Sequence, residues 1–152
     1  MTTATELAAE IAAARARLIE FVGRCPPGQW TSSPLAGDDP RTVAVIVDHV
    51  ADAYEYLGSW VERLARGEPA PVTPDLVDKL NARHAAAVGM PTSEAAVEHL
   101  VRSGDAFVAL IGSLGAEQLS ADEGRITRFA QIAARHADSH RADLEAALGL
   151  ST

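Results

Sequence analysis

Apolar side chains recur at intervals of three and four residues along most of this chain, which is the spacing of one face of an α-helix. In the first segment the repeating positions are Leu7, Ile11, Ala14, Leu18 and Phe21. No stretch of useful length alternates apolar and polar residues, as a half-buried β-strand would. The pattern therefore predicts an all-α protein.

Proline, glycine and capping residues divide this pattern into helices. Five helices are predicted, over residues 5–23, 40–66, 74–88, 92–114 and from a start between 122 and 127 to about 148. We expect Asp39 to cap the second helix, with Pro40 at its first position, and Thr73 to cap the third in the same way. The longest connector is 24–39, and Trp30 is expected to pack beneath it.

Composition limits the classes of protein that this helical chain can belong to. Its 152 residues, 47% of them hydrophobic, suit a single domain spanning 1–152. The net charge of −8 argues against nucleic-acid binding, which needs basic side chains for the phosphates. The single cysteine, Cys25, excludes an internal disulfide and a cysteine-rich zinc site. The sequence has no signal-peptide pattern and no apolar run of membrane-spanning length, so a cytoplasmic protein is expected.

The second predicted helix carries a histidine in the middle of its apolar face. A rotation of about 100° per residue places His49 in the same arc as Ile46 and Ala53. The charged residues Asp48 and Glu55 are predicted to lie outside that arc. The imidazole of His49 is therefore expected to point into the protein.

Two further histidines share the apolar face of the last helix. His136 and His140 have the same phase as Ile132 and Leu144. Side chains four residues apart on a helix have Cβ atoms about 5–6 Å apart. The HExxH metalloprotease helix uses this spacing to hold one metal with two imidazoles.

The remaining two histidines differ from these three. His99 falls opposite the stripe formed by Val97, Val101 and Val108, so it is expected to be solvated. His84 lies on the margin of an apolar face, and its phase leaves a surface or a core position open.

A metal site is the favoured interpretation of the three inward histidines. One buried histidine is ordinarily a core residue whose hydrogen bonds are satisfied, and a single HisxxxHis pair can arise by chance. Three imidazoles in one apolar interior would each need a polar partner. A shared divalent cation would serve all three, and neutral imidazole suits zinc, nickel, copper or iron.

The stretches IVDHVADAYEYL and ARHADSHRADLEAAL, with the loop PGQWTSSPL, resemble the DinB/YfiT-like superfamily of metal-dependent enzymes over essentially the whole chain. The resemblance implies a four-helix bundle of up-down-down-up topology with a long loop between the first two helices. It also implies that His49, His136 and His140 hold one divalent metal with open coordination positions. Zinc is the first expectation, with nickel, iron or manganese as alternatives. Family members often dimerise through helix faces, so a homodimer is a further expectation.

Several functions are compatible with such a site. A metal with three neutral ligands would acidify a thiol or a water bound to it. The resemblance favours a thiol S-transferase or isomerase that uses a low-molecular-weight thiol such as bacillithiol, glutathione or mycothiol, together with a small-molecule substrate. The Ala-rich and Arg-rich composition, typical of high-GC actinobacteria, favours mycothiol. The alternatives are a metal-dependent hydrolase, a non-catalytic metal-binding or structural bundle in a stress response, and a metal-free interaction domain.

No general acid or base can be assigned from the sequence. Asp52 and Asp143 each follow a candidate ligand by three residues, but surface ion pairs are their expected role. Cys25 is expected to be an incidental free thiol. A fourth ligand such as His84 would favour a structural site over a catalytic one.

Overall fold

The computed structural model describes residues 2–150, and all regular elements within that range are helices. Their bounds are α1 Ala4–Arg24, α2 Pro27–Trp30, α3 Val43–Ala65, α4 Pro74–Ala87, α5 Ser93–Gly112 and α6 Ala116–Leu148. The predicted all-α class is confirmed. None of the described helices is long and apolar enough to cross a membrane.

The start of α3 differs from the predicted one. The cap is Thr42, whose hydroxyl accepts a hydrogen bond from the backbone N–H of Val45 at 3.2 Å. The predicted cap, Asp39, instead accepts hydrogen bonds from the guanidinium and the backbone N–H of Arg41. Its carboxylate is therefore engaged before the helix begins, and Pro40 precedes the first turn. The predicted Thr73 cap on α4 is confirmed.

The long connector contains structure that the sequence pattern did not predict. A single helical turn, α2, interrupts it. The expected burial of Trp30 is confirmed, and its indole N–H donates to the Pro91 carbonyl at 2.9 Å. This bond ties the connector to the segment that precedes α5.

The core lies between α1, α3, α5 and α6. Helix α1 packs against α5 and α6, and α3 packs against the same two helices. Helix α4 contacts α3 and contributes no fully buried residue. The largest fully buried side chains include Tyr54, Phe21, Phe107, Leu18, Ile46, Ile126 and Leu144.

Two predicted inward positions, Val101 on α5 and Ile132 on α6, are wrong, because both side chains are exposed. The buried face of α5 is made of Ala96, Leu100, Ser103, Gly104, Phe107 and Ile111. Arg15 of α1 lies directly over Gly104 and donates to the carbonyl of Leu100. Small residues make this close approach between helices feasible. The buried face of α5 is therefore rotated by about one residue, or about 100°, from the face that the valine stripe predicts.

Helix α6 is interrupted between Ala121 and Gly124, close to its predicted start. Asp122, Glu123 and Gly124 have φ values of 51°, 56° and 75°. The sequence pattern detected the helix after this break and missed the turn before it. Left-handed backbone is unfavourable for residues other than glycine, by about 1–2 kcal/mol each. The break therefore stores local strain at two positions.

We expect Glu123→Gly to stabilise the protein by about 0.5–1 kcal/mol, because relief of left-handed strain exceeds the extra chain entropy of glycine. Urea unfolding would measure this change. Glu98→Gly is the matched control, since Glu98 is an exposed residue inside regular α5. There glycine should destabilise by about 1 kcal/mol. Equal destabilisation by both substitutions would contradict the assignment of strain at Glu123.

Candidate metal centre

Three histidines from two helices meet inside the protein. Helix α3 supplies His49, and α6 supplies His136 and His140 on adjacent turns. The Nε2 atom of His136 lies 3.0 Å from Nε2 of His49 and 3.0 Å from Nε2 of His140. The three rings are arranged edge to face, with centroids 4.5–5.3 Å apart. The structure thus brings together the three residues that the sequence indicated.

This donor set fits a divalent cation better than it fits hydrogen bonding. A neutral imidazole nitrogen carries either one proton or one lone pair. Nε2 of His136 therefore cannot form good hydrogen bonds with His49 and His140 at the same time. A shared cation would use all three lone pairs. Zinc–nitrogen bonds of about 2.0–2.1 Å at tetrahedral angles separate ligand nitrogens by about 3.3 Å, close to the spacing found here.

Burial keeps these imidazoles in the neutral form that metal binding requires. Burial, reinforced by the charges of His136 and Arg41, lowers the pKa of His49 to about 2. The same effect of burial, with a contribution from His140, lowers the pKa of His136 to about 3. Burial also lowers the pKa of His140. All three imidazoles are therefore neutral at neutral pH, and each can present one nitrogen lone pair to a metal.

No fourth side chain joins the three histidines within residues 2–150. His84 is near, with its ring centroid 6.0 Å from that of His49, but its Nε2 atom is bonded to Asp48 at 2.7 Å. The donor set therefore resembles catalytic zinc sites, which have three protein ligands, more than closed structural sites.

A buried carboxylate, Asp48, stands behind the histidine cluster. Its Oδ2 atom accepts from Nε2 of His84, and its Oδ1 atom accepts from Nδ1 of His99 at 2.8 Å. Nε2 of His99 donates in turn to Glu55 at 2.7 Å. We call Asp48, His84, His99 and Glu55 the carboxylate–histidine chain. It links α3, α4 and α5.

Two sequence predictions about this chain are wrong. Asp48 is only 6% exposed, although it was placed outside the buried arc. His99 is not solvated, because both of its ring nitrogens face carboxylates. The ambiguous His84 lies on the inner side, with 7% of its side chain exposed. The sequence does contain a signal for this chain, because Asp48 directly precedes a buried histidine and two further histidines lie on neighbouring helices.

The charges of this chain are set by its own hydrogen bonds. Burial opposes ionisation of Asp48, but hydrogen bonds from His84 and His99 outweigh burial and hold the pKa of the carboxyl below its usual value. Burial likewise opposes protonation of His99, but its bonds to Asp48 and Glu55 outweigh that effect and raise its pKa. Asp48 is therefore a carboxylate that accepts hydrogen bonds on both oxygens.

The other candidate polar residues take no part in the cluster. Neither Asp52 nor Asp143 forms an ion pair within residues 2–150, so their expected surface ion pairs are not found. Asp52 is partly buried, and burial raises its pKa. Cys25 is a free thiol whose pKa is raised by burial, which does not favour a reactive thiolate.

A recess of about 580 Å³ adjoins the cluster at His140. Its lining consists of Leu35, Asp38, Asp39, His140, Asp143, Ala146 and Ala147. A larger recess of about 690 Å³ lies beside the break in α6 and the start of α1, and it includes none of the histidines. We associate function with the smaller recess, because only that one reaches a candidate ligand.

The fold and the cluster together define a class: an all-helical protein with three convergent imidazoles from two long helices. Comparison with known proteins agrees, because the sequence profile described as the DinB superfamily matches residues 10–144. The chain belongs to the DinB superfamily. Members of this superfamily typically bind metal. No curated protein and no solved structure matched the chain.

Proposed function

We propose that His49, His136 and His140 bind one divalent cation, preferably zinc. We further propose that the protein is a metal-dependent transferase or isomerase that acts on a low-molecular-weight thiol. The observation that carries this proposal is the convergence of three neutral Nε2 atoms beside a recess large enough for a small molecule. Mycothiol is the thiol that the composition of the chain favours.

The protein's own residues prepare this site in three ways. The apolar core around α3 and α6 keeps the imidazoles neutral. The His140 side of the cluster lines the recess, so a substrate there would reach the cluster from that side. The Asp39 carboxylate of the recess is held by Arg41 through bonds of 2.7–3.2 Å, which fixes the connector that forms one wall.

A bound divalent cation would supply Lewis acidity that favours the thiolate form of a thiol near neutral pH. In the transfer reaction the thiolate sulfur attacks an electrophilic carbon of the second substrate. A C–S bond forms, the leaving group departs with its bonding electrons, and the thiol proton passes to solvent. The recess walls would hold the electrophile in reach of the sulfur, which is how positioning accelerates a reaction between two substrates.

The proposal also covers topology. We propose that α1, α3, α5 and α6 form the up-down-down-up four-helix bundle that the resemblance implies. The contact pattern supports it, since each of these helices packs against two of the others. A crystal structure would test the arrangement.

Metal analysis and a thiol-consumption assay test the function together. We expect purified protein to bind about one zinc per chain, in line with a three-ligand site. Metal-loaded protein should consume mycothiol, bacillithiol or glutathione in the presence of 1-chloro-2,4-dinitrobenzene, with release of chloride. Chelator-treated protein and His136→Ala are the matched controls, and both should be inactive.

The outcomes separate the candidate functions. Failure to bind zinc, nickel, iron or manganese would remove the metal site altogether. Hydrolysis of ester or amide substrates without thiol consumption would favour the hydrolase. Bound metal with no turnover of any of these substrates would favour a non-catalytic role.

A further inference from the structure

Two buried ring nitrogens have no hydrogen-bond partner among the described residues, and they belong to neighbouring histidines. They are Nδ1 of His49 and Nδ1 of His84. The two ring centroids are 6.0 Å apart, and the ring planes are inclined by 53°. A buried polar nitrogen without a partner costs about 1–3 kcal/mol, so two side by side call for an explanation.

The two nitrogens have opposite hydrogen-bonding character. Nε2 of His49 points to the other two imidazoles, and as a metal ligand it must be a lone pair. The proton of neutral His49 is then on Nδ1, which makes that atom a donor. Nε2 of His84 donates to the Asp48 carboxylate. An imidazole whose single proton is on Nε2 presents a lone pair, and therefore an acceptor, at Nδ1.

We propose that His84 is a positioning residue for the metal ligand His49. Its Nδ1 atom accepts the Nδ1–H of His49 through one bridging water, while Asp48 fixes the His84 ring and its tautomer. This inference rests on the proposed function, since it assigns His49 to the metal. Metal-binding histidines almost always donate their second ring N–H to a carboxylate, a carbonyl or water, and here the acceptor would be a second imidazole backed by a carboxylate.

The rest of the carboxylate–histidine chain holds this acceptor in place. Asp48 cannot turn away from His84 without also losing its bond to His99, and His99 is anchored by Glu55. Helix α4, which buries no residue completely, thereby gains a specific role through His84. Of the two aspartates in this stretch of α3, Asp52 forms no hydrogen bond within residues 2–150, so the structure assigns this role to Asp48.

Zinc affinity, measured by competition with a chromophoric chelator, tests the assignment. We expect His84→Ala to bind zinc about 10–100-fold more weakly than the unaltered protein, the range for partners of metal ligands. Leu80→Ala is the matched control, because Leu80 lies one turn earlier on α4 and lines the same small recess as His84. It disturbs packing of the helix but removes no ring nitrogen, so its affinity should change less than about threefold.

Ring proton–nitrogen NMR correlation of the unaltered zinc-loaded protein gives a second readout, which needs no variant to fold. We expect His84 to carry its proton on Nε2 and His49 to carry a slowly exchanging proton on Nδ1. In His84→Ala the Nδ1 proton of His49 should exchange faster. Leu80→Ala, which only loosens the packing of α4, should not show this faster exchange.

Each outcome decides one statement. An unaltered protein that binds none of zinc, nickel, iron and manganese overturns the proposed function, and this inference with it. Zinc binding with equal affinity in His84→Ala, or a His84 proton on Nδ1, overturns the role of His84 alone. His84 would be a fourth ligand if His84→Ala lost zinc as completely as His136→Ala and zinc contacted a His84 nitrogen in the unaltered protein. That result would also overturn the positioning role.

Discussion

His136→Ala is expected to lose nearly all of the bound divalent metal, from about one ion per chain in the unaltered protein. His136 is the central member of the cluster, because its Nε2 atom lies 3.0 Å from both of the other nitrogens. Its removal leaves two imidazoles on different helices, too few for a site that has no other protein ligand within residues 2–150. Metal content after dialysis, measured by plasma emission spectroscopy, gives the result directly.

The same variant should also lose metal-dependent stability. A ligand at about 100 times its dissociation constant stabilises the native state by about 2.7 kcal/mol. Added zinc should therefore raise the unfolding temperature of the unaltered protein and leave that of His136→Ala unchanged. Ser139→Ala is the matched control, since Ser139 is an exposed residue on the same helix. Retention of a full equivalent of zinc in His136→Ala would contradict the three-histidine site.

The histidine cluster was predictable because its members lie on strongly amphipathic helices. His49 shares its predicted apolar face with Ile46 and Ala53, and all three are buried. His136 and His140 are spaced four apart, which fixes their relative position whatever the helix packs against. What the sequence could not provide was the distance between α3 and α6, since that depends on packing. That these residues bind metal stays a prediction.

The carboxylate–histidine chain shows where sequence reasoning reaches its limit. Asp48 precedes His49 by one residue, so its helical phase predicts a position outside the buried arc, where charged residues are usually solvated. Its burial depends on two partners from other helices, His84 and His99, and no local pattern reports them. The phase of α5 was missed for a related reason. Its buried face uses Ser103 and Gly104, which carry little hydrophobic signal, whereas the exposed Val101 carries more.

The hydrophobic pattern also could not predict the break in α6. The position of Gly124 indicated a boundary, but two non-glycine residues before it also adopt left-handed backbone. Such conformations are disfavoured locally and persist only where surrounding structure supports them. The carbonyl of Leu119 accepts from the Thr127 hydroxyl at 3.0 Å across the break, and the Glu123 carbonyl accepts from Arg128. These bonds join the two sides of the break and are invisible to hydrophobic periodicity.

Asp48→Ala is expected to destabilise the metal-free protein by about 3–5 kcal/mol, the range for breaking a buried charged pair. The substitution leaves Nε2 of His84 and Nδ1 of His99 without an acceptor, and it opens a cavity where α3, α4 and α5 meet. For a chain of this size the unfolding temperature should fall by about 10 °C. Urea unfolding in the presence of a chelator separates this effect from metal binding. Asp38→Ala, an exposed carboxylate, is the control and should change stability by less than about 0.5 kcal/mol.

Asp48→Asn distinguishes lost hydrogen bonds from lost volume. The amide oxygen of asparagine can still accept from His84, and its NH2 group can donate to Nδ1 of His99 once that ring has given up its Nδ1 proton and become neutral. Nε2 would then still donate to Glu55, so every hydrogen bond of the chain survives without the charge. We therefore expect a smaller loss, about 1–2 kcal/mol, because charged hydrogen bonds are stronger than neutral ones. Equal losses for Asp48→Asn and Asp48→Ala would mean that the negative charge itself, rather than the hydrogen-bond pattern, holds the three helices together.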